Sequence, residues 1–265
     1  MTEYFLIYGA VGTLVGILAG LLGVGGGGVI VPLLVFVFHL QGVADQVTMH
    51  LALGTSLACI VFTSISSFLA HHRRGAVHWP VVRHSVVGIV VGTLAGAGFA
   101  AVLSTGFLKG FFVLFLYFVA IQMLINRPPK PSRELPGLAG MSAVGLFIGF
   151  LSSLVGIGGG SLSVPFMVWC NITVHQAIGT SAAIGLPIAA AGTLGYLVSG
   201  WQATALPPYS IGYIYLPALV GIAAVSILTA PLGARLAHSL PVSRLRKIFA
   251  VMLIVIGTRM LFSIF

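Results

Sequence analysis

Two glycine clusters carry the clearest chemical signal in this sequence. They are Gly23-Val24-Gly25-Gly26-Gly27-Gly28 and Gly156-Ile157-Gly158-Gly159-Gly160, each inside an apolar run too long for one membrane-crossing helix and each followed by a proline, Pro32 or Pro165. Glycines followed by a proline are typical of the end of one helix and the first turn of the next. We therefore predict half-helices that begin near Val29 and Leu162. Their free amides and positive helix ends would favour a bound anion.

A second repeated pattern, Thr-x-His-x-Ala-x-Gly-Thr-Ser, occurs at 48–56 and again at 173–181. Its hydroxyls and imidazoles could complete an anion site that the glycine amides begin. The candidate binding residues are Gly25, Gly26, Gly27, Gly28, His50, Thr55, Ser56, Gly158, Gly159, Gly160, Ser161, His175, Thr180 and Ser181. Arg83, just inside a span, could draw anions toward the inner mouth.

Each of these features also has a purely structural interpretation. The glycines could only allow close helix packing, as small residues do in many membrane proteins. The hydroxyls could bond back to their own helices, with both histidines satisfied by water at the interface. Arg83 could simply extend to the polar interface.

The composition requires a membrane around most of the chain. Only 15 of 265 residues are Asp, Glu, Lys or Arg, 58% are apolar, and the stretch from Leu135 to Ala234 contains none of the four charged types. Globular domains carry roughly a quarter charged residues. The net charge of +9 does not indicate nucleic acid, because the basic residues lie singly or in short clusters between apolar runs.

The residue types that the predicted spans lack exclude several kinds of site. No Asp or Glu lies deep in a predicted span, so an ion site or a proton relay built on carboxylates is not expected. Any proton coupling would depend on His50, His84 or His175, since imidazole titrates near neutral pH. The sequence shows no nucleotide-binding loop, metal cluster or nucleophile-base pair. We therefore predict no enzyme activity, no cofactor and no metal.

The elements that must position these residues form two related halves. Six apolar segments each fit one crossing: 49–70, 81–103, 107–125, 176–199, 209–234 and 245–265. The glycine clusters align at an offset of 133 residues and the Thr-x-His patterns at an offset of 125. Each half, 1–125 and 138–265, then contains one glycine-broken element and three spans. Residues 126–137 form a polar, proline-rich linker.

Counting basic residues suggests the orientation of these halves. If each glycine-broken element counts as an even number of crossings, ten Lys and Arg residues share one side and only Lys109 and Arg259 lie on the other. If each element crosses once, the split is seven against five and orients nothing. The even count places the linker in the cytoplasm and both termini outside. The predicted fold is an all-α integral membrane protein with two inverted repeats, each containing a re-entrant or paired broken element and three transmembrane helices.

These motifs resemble a known family. The pattern G-x-G-G-G-x-x-x-V-P occurs from Gly23 to Pro32 and from Gly156 to Pro165, followed each time by Ala-x-Gly-Thr-Ser, as in TauE/SafE sulfite exporters. The stretches 75–79 and 231–235 are similar to that family too. The resemblance implies a bacterial inner-membrane transporter that moves sulfite, sulfoacetate or related organosulfur anions, usually outward. The fourth glycine, Gly28, departs from the pattern because Ser161 stands opposite it.

The predicted function is a secondary transporter that exports a small sulfur-containing anion by alternating access. An anion channel lined by the glycine breaks is the main alternative, followed by a non-transport intramembrane protein. The expected partners are the anion, the lipid bilayer and, if transport is coupled, protons; no nucleic acid is expected. The sequence leaves open the particular anion, the coupling ion, a homo-oligomeric state, and whether each broken element is a hairpin or two full spans.

Overall fold

The computed structural model describes residues 2–22, 26–125, 132–236 and 242–262. Within these ranges the chain is almost entirely helical. The helices are α1 Thr2–Leu22, α2 Gly27–Leu40, α3 Asp45–His72, α4 Trp79–Ala101, α5 Thr105–Ile125, α6 Leu138–Val155, α7 Gly160–Trp169, α8 Val174–Ser199, α9 Leu216–Leu236 and α10 Val242–Phe262. Two short antiparallel strands, β1 Ser210–Ile211 and β2 Ile214–Tyr215, precede α9.

The all-helical membrane fold predicted from the sequence is confirmed. Among the described residues, six helices are long and apolar enough to cross a bilayer by length and composition: α3, α4, α5, α6, α8 and α9. The six segments predicted as single spans each correspond to one helix, namely α3, α4, α5, α8, α9 and α10. The predicted start of the fifth segment at residue 209 was wrong. Residues 210–215 form the β1–β2 hairpin instead, and α9 begins at Leu216.

Each glycine-broken element is a hairpin of one long and one short helix. The short helices, α2 with 14 residues and α7 with 10 residues, rise about 1.5 Å per residue and so cannot span a hydrocarbon core of about 30 Å. They begin at Gly27 and Gly160, two residues before the predicted positions. The residue just before each short helix, Gly26 or Gly159, has a positive φ angle. The helix therefore starts directly after this glycine and not two residues later.

Both hairpins return to the end of the bundle where they began. The Gln41 side-chain amide at the end of α2 donates to the Tyr8 hydroxyl in α1, at 3.2 Å. The backbone carbonyl of Trp169 at the end of α7 accepts from the amides of Ser132 and Arg133, shortly before α6 begins. Each short helix therefore ends near the start of its own hairpin.

These contacts define two ends of the bundle. The terminal end contains the start of α1, the end of α2 and the end of α10. The basic end contains the α3–α4 loop with Arg73 and Arg74, the start of α6, and the end of α7 beside Arg133. The central helices α3 and α8 run between these ends and pack against each other.

The long helices of the two hairpins pack on the opposite halves of the chain. Helix α1 lies along α9, and α6 lies along α4, in the two most extensive helix contacts of the described structure. Glycines make this approach close: a methyl group at Gly12 would overlap Ile222, and one at Gly92 would overlap Leu146. Backbones without side chains between them gain van der Waals contact, which holds helices together in lipid.

Candidate functional site

The two glycine breaks have the same local geometry. Gly26 and Gly159 have φ angles of +75° and +76°, in the left-handed region that L side chains rarely adopt. The carbonyl of Gly26 accepts hydrogen bonds from the amides of Val29 and Ile30, at 3.0 and 3.1 Å. The carbonyl of Gly159 accepts in the same way from Leu162 and Ser163, at 3.1 and 2.9 Å. A glycine therefore starts each short helix, which accounts for the repeated cluster.

The breaks also contact each other near the middle of the bundle. A methyl group at Gly27 would overlap the carbonyl oxygen of Gly156, so only glycine allows this approach. The same carbonyl accepts a 2.8 Å hydrogen bond from the Ser56 hydroxyl, halfway along α3. Gly28 points elsewhere: a methyl group there would meet Leu253 at an ordinary 3.6 Å. The structure thus brings together Gly27, Ser56 and the second break.

Both short helices have unused amides in their first turns, next to the glycine breaks. The first turn of a helix has N–H groups with no partner inside the helix. In the ranges that the structure describes, the amides of Gly27 and Gly28 donate to no residue, and neither do those of Gly160 and Ser161. Oriented amides at a helix N-terminus attract negative charge. Gly25 lies outside the described residues.

Hydroxyl groups surround a small cavity beside the second break, which we call the serine cavity. Its polar side chains are Thr63, Ser64, Ser67 and Ser181, and Gly158 forms part of its wall. The volume of about 10 Å³ is enough for one water molecule. The Ser67 hydroxyl is buried and has no hydrogen-bond partner among the described residues. An unpaired buried hydroxyl is costly, so this cavity is suited to a polar guest.

The Gly-Thr pair of each Ala-x-Gly-Thr-Ser pattern holds a loop from the opposite half. The Thr55 hydroxyl accepts from the Tyr215 amide at 2.9 Å, and the Thr180 hydroxyl accepts from the His78 amide at 2.8 Å. The glycine before each threonine makes room for the same loop, because a methyl group at Gly54 would overlap the Tyr213 carbonyl. At Gly179 the corresponding obstacle is the Ala76 carbonyl. These contacts give both threonines a structural role.

The remaining candidates lie in unequal surroundings. The His50 ring is buried, 3.0 Å from the Ala100 carbonyl, and stacks on Tyr213, whereas His175 is exposed at the start of α8. Ser181 lines the serine cavity and bonds to the Ile178 carbonyl. Arg83 is exposed near the start of α4. Their roles in binding stay predictions.

Sequence reasoning missed several hydroxyls near the breaks. Ser64 and Ser67 follow Thr63 in α3, and Ser152 lies one turn before Gly156. The Ser152 hydroxyl is buried without a partner among the described residues, as is the hydroxyl of Ser161, which the sequence did predict. Extending the i, i+4 spacing from Thr63 would have indicated Ser67.

The cysteines and acidic residues form no metal-binding cluster in the described ranges. No three His, Cys, Asp or Glu side chains lie together there as metal ligands would. Cys59 and Cys170 are both free and buried. Burial raises the pKa of the Cys170 thiol, beyond the end of α7, and the charge of Arg133 opposes part of that rise.

Comparison with known proteins identifies this arrangement. Residues 8–260 match the family model described as Sulfite exporter TauE/SafE. The chain belongs to the TauE/SafE family. Its relatives are described as membrane transporters: it is 40% identical to a probable membrane transporter protein of Haemophilus influenzae over 98% of this chain and 99% of that one.

More distant TauE/SafE relatives carry the same description. A probable membrane transporter protein of Methanocaldococcus jannaschii is 30% identical over 95% of this chain and 93% of its own. The probable membrane transporter protein YunE of Bacillus subtilis is 27% identical over 98% of each chain. No solved structure matches this TauE/SafE chain. The glycine breaks therefore belong to a multi-pass membrane transporter.

Proposed function

We propose that this protein is a secondary transporter that exports a small sulfur-containing anion: sulfite, sulfoacetate or a related organosulfonate. One observation carries the proposal, namely that two half-helices begin at contacting glycine breaks and that the first amides of each half-helix have no acceptor among the described residues. The family description as a sulfite exporter supports the substrate class. The three acidic residues, Glu3, Asp45 and Glu134, all lie outside the two glycine clusters and the short helices that follow them, which fits an anionic cargo.

The proposed site combines amides and hydroxyls. Amides of Gly25 to Gly28 and of Gly158 to Ser161 would hold the anion, together with hydroxyls from α3 and α8. Ser181 lines the serine cavity already, and we add Ser64 and Ser67 to the sequence-derived set. The hydroxyls of Thr55 and Thr180 already accept backbone amides, so they would act by positioning loops rather than by contacting the cargo.

The size of the serine cavity implies that the site must open. A volume of about 10 Å³ accepts a water molecule but not an oxyanion such as sulfite. Binding would therefore require α3, α8 and the second break to separate. A closed centre of this kind is expected of an alternating-access carrier between its two open states. A continuous channel would keep a wider path, so the packed breaks favour the carrier.

Contacts between the halves support an inverted repeat. Helix α1 starts at the terminal end and lies parallel to α9, because contacts run from Tyr8–Gly221 to Ile17–Gly233. Helix α6 occupies the matching place in the second half, starts at the basic end and lies parallel to α4. We propose that residues 1–125 and 138–265 are repeats of opposite orientation, joined by the linker 126–137. Rocking of one repeat against the other would expose the site alternately.

Charge supports the orientation and the direction of transport. The basic end contains Arg73, Arg74 and Arg133, which the positive-inside rule places in the cytoplasm. We therefore propose a bacterial inner-membrane protein with both termini in the periplasm. An inside-negative potential expels an anion with about 2.3 kcal/mol per charge per 100 mV. Export could proceed without a coupling ion.

Counterflow in proteoliposomes tests this proposal. Vesicles containing the full chain are loaded with sulfite, sulfoacetate, taurine or sulfate, and uptake of labelled sulfite or sulfoacetate is followed. Saturable counterflow with an anionic sulfur compound is expected. Cation selectivity would overturn the anion site. Flux that neither saturates nor shows counterflow would favour a channel, and vesicles without any flux would favour a non-transport role.

A further inference from the structure

A second cavity, far larger than the serine cavity, opens at the terminal end of the bundle. It has a volume of about 430 Å³ and lies between α2, the start of α3, the start of α5 and the end of α10. We call it the amphipathic cavity. The α2 residues that line it run from His39 to Pro32, so the cavity ends five residues before Gly27 at the glycine break. Volumes of this size accommodate small organic ligands.

Two cations line this cavity without a carboxylate partner. Lys109 in α5 is half-buried, and Arg259 in α10 is exposed with its guanidinium 5.7 Å from the centre of the Phe36 ring. They are the two basic residues that the sequence places away from the other ten. In the described part of the chain neither forms an ion pair, not even with Asp45 in the same cavity. Position at a membrane surface explains each cation alone, but not their convergence on one cavity.

The rest of the wall is mainly apolar. Pro32, Leu33, Val35 and Phe36 supply one side from α2, and Ile256 faces them from α10. The single acid, Asp45, lies in the first turn of α3, where the positive end of the helix stabilises a carboxylate. The cavity thus combines two unpaired cations with a broad apolar surface. That combination is complementary to one acid group attached to an apolar body.

We propose that the amphipathic cavity is a binding site for an amphiphilic anion, with the acid group at Lys109 and Arg259 and the apolar part against α2. The site is separate from the glycine breaks and does not depend on the proposed function. Two sources share this chemistry: a soluble organic anion with an apolar chain, and the headgroup region of an anionic lipid. An inorganic oxyanion would use the cations but leave the apolar wall empty.

Calorimetric titration of the full chain in phosphatidylcholine nanodiscs tests this proposal, with hexane-1-sulfonate as the probe and methanesulfonate as its truncated control. Saturable binding of hexane-1-sulfonate is expected, with methanesulfonate at least about tenfold weaker because its apolar part is nearly absent. The variant Lys109→Gln/Arg259→Gln should bind at least about tenfold more weakly. Asp45→Asn should bind more tightly, because it removes a repelling charge. Arg73→Gln at the basic end is the matched control and should bind like the parent.

The source of the natural ligand follows from a second titration with phosphatidylglycerol in the nanodisc. Competition with hexane-1-sulfonate would support the site with a lipid headgroup as occupant, and undiminished binding would support it with a soluble anion. Unchanged affinity in the double variant would overturn the proposal. Equal affinity for methanesulfonate would overturn the role of the apolar wall. Both cations lie at the bundle end, so unfolding temperatures of the variants check that the fold is intact.

Discussion

The Ser56 hydroxyl donates a 2.8 Å hydrogen bond to the carbonyl oxygen of Gly156, and so ties the middle of α3 to the glycine break of the opposite half. Both groups are buried. The bond satisfies a carbonyl that the end of α6 would otherwise leave unpaired. It is the direct side-chain link between the two predicted half-sites.

Replacement of Ser56 by alanine removes this link. We expect Ser56→Ala to lower the free energy of unfolding by about 1–3 kcal/mol, because the Gly156 carbonyl stays buried without its donor. Reversible denaturation of the reconstituted protein measures this change. Full stability together with full sulfite counterflow would remove Ser56 from both the structural and the transport roles.

The two neighbouring glycines of the first break should respond differently to a methyl group. Gly27→Ala places a methyl group onto the Gly156 carbonyl. We expect this variant to lower the free energy of unfolding by about 1–3 kcal/mol and to lose counterflow. Gly28→Ala is the control, since its methyl group would meet Leu253 at 3.6 Å. Thermal unfolding and counterflow are measured on both. Equal tolerance at the two positions would contradict the contact between the breaks.

Ser67 separates a transport role from a structural one. Its buried hydroxyl has no partner among the described residues, so Ser67→Ala removes a desolvation cost and should raise the unfolding temperature rather than lower it. If the hydroxyl contacts the anion, counterflow should fall about tenfold, the value of one hydrogen bond to a charged group. Ser66, which bonds to the Ile227 carbonyl outside the serine cavity, provides the matched Ser66→Ala control. Normal transport by Ser67→Ala would exclude this hydroxyl from the site.

Because Thr180 holds a loop from the other half and Thr193 does not, replacing each by valine should change the free energy of unfolding by different amounts. Thr180→Val leaves the His78 amide without its acceptor and should cost about 1–3 kcal/mol. Thr193→Val should cost less than about 0.5 kcal/mol, because the Thr193 hydroxyl only bonds back to the Ala189 carbonyl of its own helix. Chemical denaturation gives both values. Similar costs for the two would argue against a docked loop.

Cysteine labelling tests the proposed orientation. With Cys59 and Cys170 replaced by serine, Val102→Cys lies at the terminal end and Arg73→Cys at the basic end. A membrane-impermeant maleimide should label Val102→Cys in intact cells and Arg73→Cys only after the membrane is opened. The reverse pattern would place the linker outside and invert the proposed direction of transport.

Composition and periodicity predicted much of this fold because lipid imposes strict rules. A span must be long and apolar, so five of the six predicted segments coincide with helices that could cross a membrane, namely α3, α4, α5, α8 and α9. Among the described residues the sixth such helix is α6, from the second glycine-broken element, rather than the predicted segment at α10. The glycine breaks were recognisable because irregular backbone inside a membrane needs a special cause. The start of α9 was misplaced, since residues 209–215 are apolar enough for a helix yet form strands that dock on Gly54 and Thr55.

The candidate site was harder to predict than the fold. Repetition correctly marked Thr55 and Thr180 as special, but the sequence could not show that a loop from the other half uses their hydroxyls. His50 and His175 occupy matching positions in the motif, yet one is buried against α4 and the other is exposed. Such differences depend on which helix packs nearby. The exchange of α1 and α6, in which each packs on the opposite half of the chain, cannot be recognised from the local sequence.

That exchange also governs how the protein is made. Helix α1 leaves the ribosome well before α9, but the surface that covers Gly12 belongs to Ile222, which is 210 residues later in the chain. Until α9 has been synthesised, the small-residue face of α1 has only lipid or the insertion machinery to contact. Contacts so distant in sequence form late and slowly. Newly synthesised chains therefore depend on α9 to secure α1, and a truncated product ending after α5 would lack the partner of α1.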